Sequence, residues 1–180
     1  MPVRPEDVLA FWLAAGPDKW FAKDTAFDGE VRARFAAAHA AATAGRLESW
    51  AANREGALAL VILLDQFSRN LHRGNAQAFA ADAKARAIAA AALARGFDAA
   101  TPMPLRPFFY LPFMHSEDPA DQARSLALYR ALGDAELLKY AEEHADIIRR
   151  FGRFPHRNAV LGRTSTAEEQ AFLDAGGFAG

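Results

Sequence analysis

The sequence predicts an all-α fold, and three observations carry that expectation. The chain is rich in alanine, the strongest helix former, within a 52% hydrophobic composition. Apolar residues recur at three- and four-residue spacing. No segment alternates apolar and polar residues with the period of two that a half-buried strand needs. At 180 residues the chain is long enough to bury an ample core, and we read residues 1–180 as one helical domain.

The elements follow in order. MPVRPEDVLAFWLAAG places acidic residues ahead of a short amphipathic run, the wrong order for a signal peptide. Phe27, Val31, Phe35 and His39 share one helix face, and Gly45 closes that helix. Leu47 and Trp50 lie in a short helical turn over 47–53. From Glu55 to Phe67 the chain is apolar almost all round until Asp65, the pattern of a buried central helix whose terminal charge needs a partner. Asn75 caps a long helix running to Arg95, closed by Gly96, and TPMPLRP at 101–107 is a proline-punctuated connector.

Pro107 starts a short apolar helix that Pro112 kinks or ends, and Asp118 with Pro119 opens a helix to Leu132, broken by Gly133. Asp134 caps the next, where Leu137, Tyr140, Ala141, His144, Ile147, Ile148 and Phe151 form one stripe ending at Gly152. RFPHRNAVLG supplies a further turn or two, and the Thr166 to Glu169 spacing is a capping box that opens the last helix. Short connections imply antiparallel neighbours, so about eight helices are expected to stack as successive hairpins.

The charge balance excludes several functions. A net charge of −1 and a pI near 6.5 give no field to attract nucleic acid or an anionic membrane. The longest apolar run, ALALVILL at 57–64, is far below the roughly 18 residues that span a bilayer. With no cysteine there are no disulfides, thiolate metal sites or thiol nucleophiles, which fits a cytoplasmic protein.

Two segments echo each other: FSRNLHRG at 67–74 and FPHRNAVLGR at 154–163. Each places a phenylalanine before Arg-Asn, then an apolar residue, a glycine and a further arginine, a weak internal repeat consistent with a helical solenoid. With LALVILLDQFSRNLHRG, FAADAKA, RPFFYLPFMHSEDPADQ and HADIIRRFGRFPHRNAVLGR in this order, the chain resembles the bacterial proteins grouped as domain of unknown function 924. The resemblance implies an all-helical, tetratricopeptide-like superhelix and no established activity. Ser68 stands where that family usually has proline, which implies a less rigid turn after the central helix.

Arg69, Asn70, Arg73, Arg153, Arg157 and Asn158 are the candidate ligand-binding residues, because guanidinium forks and amides suit a carboxylate or phosphate. A small-anion-binding protein, and by extension an enzyme, would form its pocket where LLDQFSRNLHRG, MHSED and GRFPHRN converge. His115 and His156, or Asp65 and Glu117, would then handle protons. The alternative is a scaffold for a protein or peptide, in which Asp65, Asp82, Glu117 and Asp118 neutralise the arginines as structural ion pairs.

Three histidines, His115, His144 and His156, form the other constellation. Without His-Glu-x-x-His, and with Tyr140, Ala141, Ile147 and Ile148 around His144, no metal is expected, and His144 reads as a satisfied core histidine. No glycine-rich phosphate loop is present, and no cofactor is expected. The aromatic run FFYLPF reads as core, and Asp146 with Arg149 and Arg150 as a solvated face.

Overall fold

Prolines and capping side chains set where the helices begin in the computed structural model, which describes residues 2–178. Pro5 opens α1 (Pro5–Ala15) and Pro17 opens α2 (Pro17–Trp20). Asp24 caps α3 (Thr25–Thr43) by accepting from the N–H groups of Ala26 and Phe27. Asn53 caps α4, which runs through Arg54–Val61, Ile62–Phe67 and Ser68–Leu71. Then come α5 (Asp82–Ala94), the short α6 (Leu111–Met114), α7 (Pro119–Leu132), α8 (Ala135–Phe151) and α9 (Ala167–Asp174). Short 3-10 turns occupy Glu48–Ala52, Ala76–Phe79, Arg106–Phe109 and Pro155–Arg157, and no strand occurs among the described residues. The fold is all-α, as the sequence predicts.

The described residues divide into two units, 2–73 with 77–112, and 74–76 with 113–178. The first is built around aromatic side chains from α1, α3 and α4. Phe11 stacks on Phe27 with ring centroids 5.4 Å apart, and Trp12 meets Phe67 and Phe108 edge-on at 5.5 Å. Each such ring, fully buried, contributes on the order of 1.5–3 kcal/mol. The expected face of α3 is present: Phe27, Val31, Phe35 and His39 are all buried. Phe108, Phe109, Tyr110, Leu111 and Phe113 are buried as well, so the FFYLPF run is core.

Gly56 shows how tightly the start of α4 fits. A Cβ there would lie 2.0 Å from the carbonyl oxygen of Trp50, which is backbone and has nowhere to go. Gly56→Ala, normally worth about 1 kcal/mol of helix stability, is therefore expected to destabilise the protein by about 2 kcal/mol, measured by urea denaturation.

In the second unit, α7 and α8 form a hairpin across Gly133, which takes the left-handed conformation (φ 77°), with Asp134 capping α8 through the N–H groups of Glu136 and Leu137. Ile147, Ile148 and Phe154 make its core cluster, with Phe151, Phe172 and Phe178 packed against it. Thr166 and Glu169 form the expected capping box of α9.

Four local expectations are corrected. The central helix does not end at Phe67 but continues to Leu71, because residues 62–67 adopt the wider π-helical winding and carry the chain on without a break. Asn75 does not cap a long helix: a 3-10 turn follows it, and α5 begins only at Asp82. Pro112 neither kinks nor ends its helix, since it lies in the first turn of α6, where its missing N–H has no intrahelical role. Tyr140, placed by periodicity on the buried stripe of α8, is 47% exposed, while Ala141, His144, Ile147 and Ile148 are buried. No helix of the described residues is long and apolar enough to cross a membrane.

Candidate functional site

The motif arginines are held chiefly by groups distant in sequence, within their own units. In the first unit, Arg69 donates to both oxygens of Asp82 at 2.9 and 3.0 Å, and to the carbonyl and carboxylate of Asp65 at 2.7 and 3.3 Å. Burial alone would lower the basicity of Arg69, but the two aspartates outweigh it and raise its pKa. Asp65 sits in the π-helical segment, is wholly buried and also accepts from Gln66 at 2.5 Å. This candidate proton-transfer residue is thus part of an ion-pair network inside the first unit.

Asn70 and Arg73 converge on Asp28 of α3. Asn70 donates to it at 2.8 Å, and Arg73 donates through Nε and Nη2 at 2.7 and 2.9 Å. Burial pushes the Asp28 carboxyl up, yet the bonds from Arg73 and Asn70 prevail and hold it below the usual carboxylate range. Arg32 donates to the carbonyl of Leu71 at 2.6 Å beside them. A shallow cleft of about 400 Å³ opens over Asp28, Arg32, Asn70 and Arg73.

Ser68 brings a feature that the sequence pattern does not announce. Its hydroxyl donates to the carbonyl of Leu64 at 2.6 Å, so the buried His39, 2.7 Å away through Nε2, must be the donor to Ser68 Oγ. The proton order is the reverse of an activated serine nucleophile. Burial, with His72 nearby, lowers the pKa of His39 from 6.5. Because the unfolded chain then binds the proton more readily, stability is expected to fall as pH drops below about 6.5. A His39→Gln variant should lack that component when urea midpoints are compared at pH 7.5 and 5.5.

In the second unit, MHSED and GRFPHRN meet. Glu117 accepts from Arg163 through both oxygens at 2.8 and 3.0 Å, and from the N–H of Phe154 at 2.8 Å. Burial raises the pKa of Glu117, but Arg163 and the Phe154 amide outweigh it and bring the pKa below the ordinary value. This second carboxylate candidate is therefore also an ion-pair acceptor. Arg153 grips Glu169 at 2.6 and 2.8 Å and holds its carboxyl, against the effect of burial, down to about 2. Asn158 joins the two pairs: its amide nitrogen donates to Glu169 at 3.2 Å, and its oxygen accepts from Arg163 at 2.9 Å.

The echo between the motifs thus has a chemical content. Asn70 and Asn158 each sit beside a two-pronged arginine–carboxylate pair. Of the carboxylates expected to neutralise arginines, Asp65, Asp82 and Glu117 do so. Asp118 instead caps α7 by accepting from the N–H of Ala120. Asp28 and Glu169, which take Arg73 and Arg153, are the partners that local spacing cannot reveal. Asp146 pairs with Arg149 and Arg150 on an exposed face, as expected.

What the second unit adds is a cluster of imidazoles. The ring of His144 lies 6.2 Å from that of His115, and Phe154 contacts both His144 (5.6 Å) and His156 (5.7 Å). Arg157, 7% exposed, donates to the carbonyl of His115 at 3.0 Å and lies 4.5 Å over the Phe154 ring. His144 Nδ1 is 2.7 Å from the carbonyl of Tyr140, which only accepts, so Nδ1 is the donor. His144 is thus a buried, hydrogen-bonded core histidine, as its sequence surroundings suggest. Among the described residues no group of three or more His, Asp or Glu side chains is arranged to hold a metal ion.

Comparison with known proteins gives a family and a fold. A family model described as bacterial protein of unknown function (DUF924) matches residues 8–177. A solved structure of a protein of unknown function from Agrobacterium tumefaciens is 50% identical, with a TM-score of 0.92 over 95% of this chain and 97% of that one. No curated protein matches.

Proposed function

Since this chain belongs to the bacterial DUF924 family, whose description assigns no chemistry, we propose its function from its own side chains: it binds a small anion, a carboxylate or phosphate, at His115, His144, His156 and Arg157. The observation that carries this reading is the convergence of three of the chain's five histidines beside one buried arginine. A guanidinium gives charge and a forked donor set, and an imidazole gives a proton that moves near neutral pH. Arg157 is the anion-binding group here, and His115 and His156 are the groups that would exchange protons with the bound molecule. Arg69, Arg73 and Arg153 have the other role, closing carboxylates within their own units.

The test is thermal unfolding with acetate, citrate and inorganic phosphate against chloride at equal ionic strength. A ligand at a hundred times its Kd is expected to stabilise the protein by about 2.7 kcal/mol, with histidine ring-proton signals moving in NMR. Arg157→Met should abolish the effect. Equal midpoints in all four salts would remove the reading.

A second reading, a tetratricopeptide-like helical scaffold for a protein or peptide, is favoured by the ion pairs that engage Arg69, Arg73, Arg153 and Arg163. A pull-down that retains no partner across a range of salt concentrations would count against it.

A further inference from the structure

Phe178 is seated among the imidazoles. Its ring centroid is 4.5 Å from that of His144 at 61°, and 5.1 Å from that of His156 at 79°, so both histidines meet it at a steep angle. Phe154 touches the same two histidines, and Arg157 lies against Phe154. Phe178 therefore fills a space bordered edge-on by two imidazoles, and Arg157 lies against the phenylalanine that touches the same two rings.

The backbone that delivers Phe178 is built for the purpose. After α9, Gly176 takes a left-handed turn (φ 78°), and the N–H of Gly177 donates to the carbonyl of Phe172 at 3.0 Å. A Cβ on Gly177 would lie 2.5 Å from the Phe172 ring, so the approach is open to glycine alone. Both glycines serve to bring one aromatic side chain back onto the histidines.

Building on the anion-binding reading, we infer that the ligand is a carboxylate carrying an aromatic ring, and that Phe178 occupies the ring subsite as the chain's own surrogate. Such a ligand regains the edge contacts with His144 and His156 that Phe178 gives up, and adds a charge for Arg157, which phenylalanine's side chain lacks. Acetate and phosphate take only the charged part of the site and leave Phe178 in place. Because the aromatic ligand binds only the fraction of molecules from which Phe178 has swung away, removing that side chain raises its apparent affinity.

The experiment titrates 3-phenylpropanoate, acetate and inorganic phosphate into the full chain and into Phe178→Ala, by calorimetry and by histidine ring-proton NMR. Phe178→Ala is expected to bind 3-phenylpropanoate about tenfold more tightly than the parent, which is about 1.4 kcal/mol, with acetate and phosphate affinities unchanged. His144 and His156 signals should move in both proteins. Phe178→Leu, which keeps apolar bulk in the slot, should fall between them and serves if the alanine variant does not fold. Should 3-phenylpropanoate bind no tighter than acetate, or no tighter to either variant than to the parent, the aromatic subsite is overturned while anion binding at Arg157 stands. If none of the three anions binds, the anion reading falls with it.

Discussion

Arg69→Met is expected to destabilise the protein by about 3–5 kcal/mol, the loss that follows when one partner of a buried ion pair is removed. The side chains left behind are Asp65, 1% exposed, and Asp82, 12% exposed. Both accept from the Arg69 guanidinium, and methionine of similar length supplies no charge. All three tryptophans, Trp12, Trp20 and Trp50, lie in the first unit, so the transition is read by tryptophan fluorescence in urea. In the parent, His39, Asp28 and Glu169 all have lowered pKa values, so stability falls as the pH falls. An Arg69→Met protein as stable as the parent at pH 7 would show that the Asp65–Arg69–Asp82 cluster holds nothing together.

Glu169→Ala is the second large effect, about 3 kcal/mol, confined to the second unit. Glu169 is buried, and its oxygens accept from Arg153, from the amide of Asn158 and from the N–H of Thr166. Removing it breaks the capping box of α9 and takes away the carboxylate shared by Arg153 and the buried Asn158 amide. Amide hydrogen exchange should accelerate from residue 153 to residue 174 and leave α4 unaffected. The pH dependence follows from the carboxyl, held down to about 2 from its ordinary 4.5. Its contribution is fully present above about pH 4.5 and is lost as pH falls toward 2, so parent and variant should converge in stability over that interval. Unchanged exchange over 153–174 would contradict the network.

Local sequence determines much of this molecule because helix starts and stops depend on a few adjacent residues. Asp118, Asp134 and Thr166 cap where their spacing predicts, and Gly133 and Gly152 take the left-handed turns that end α7 and α8. The exceptions have a physical origin in packing. Residues 62–67 wind as a π-helix although nothing in their composition demands it, and Tyr140 faces solvent although its spacing fits the stripe. His115, His156 and Arg157 were legible as candidates from their residue types. His144 was legible only as a core histidine, because nothing local tells which ring will lie against which.

The partners of the arginines belong to the same category. Arg73 finds Asp28 from 45 positions away, and Arg163 finds Glu117 from 46. An ion pair is chosen by which segments packing brings within about 3 Å, and the Coulomb term that rewards it carries no memory of sequence distance. The sequence by itself determined the all-α class, several of the caps and the list of groups able to hold charge. Tertiary packing decided which of those groups neutralise one another, and it gathered His115, His144, His156 and Arg157 around Phe154 and Phe178.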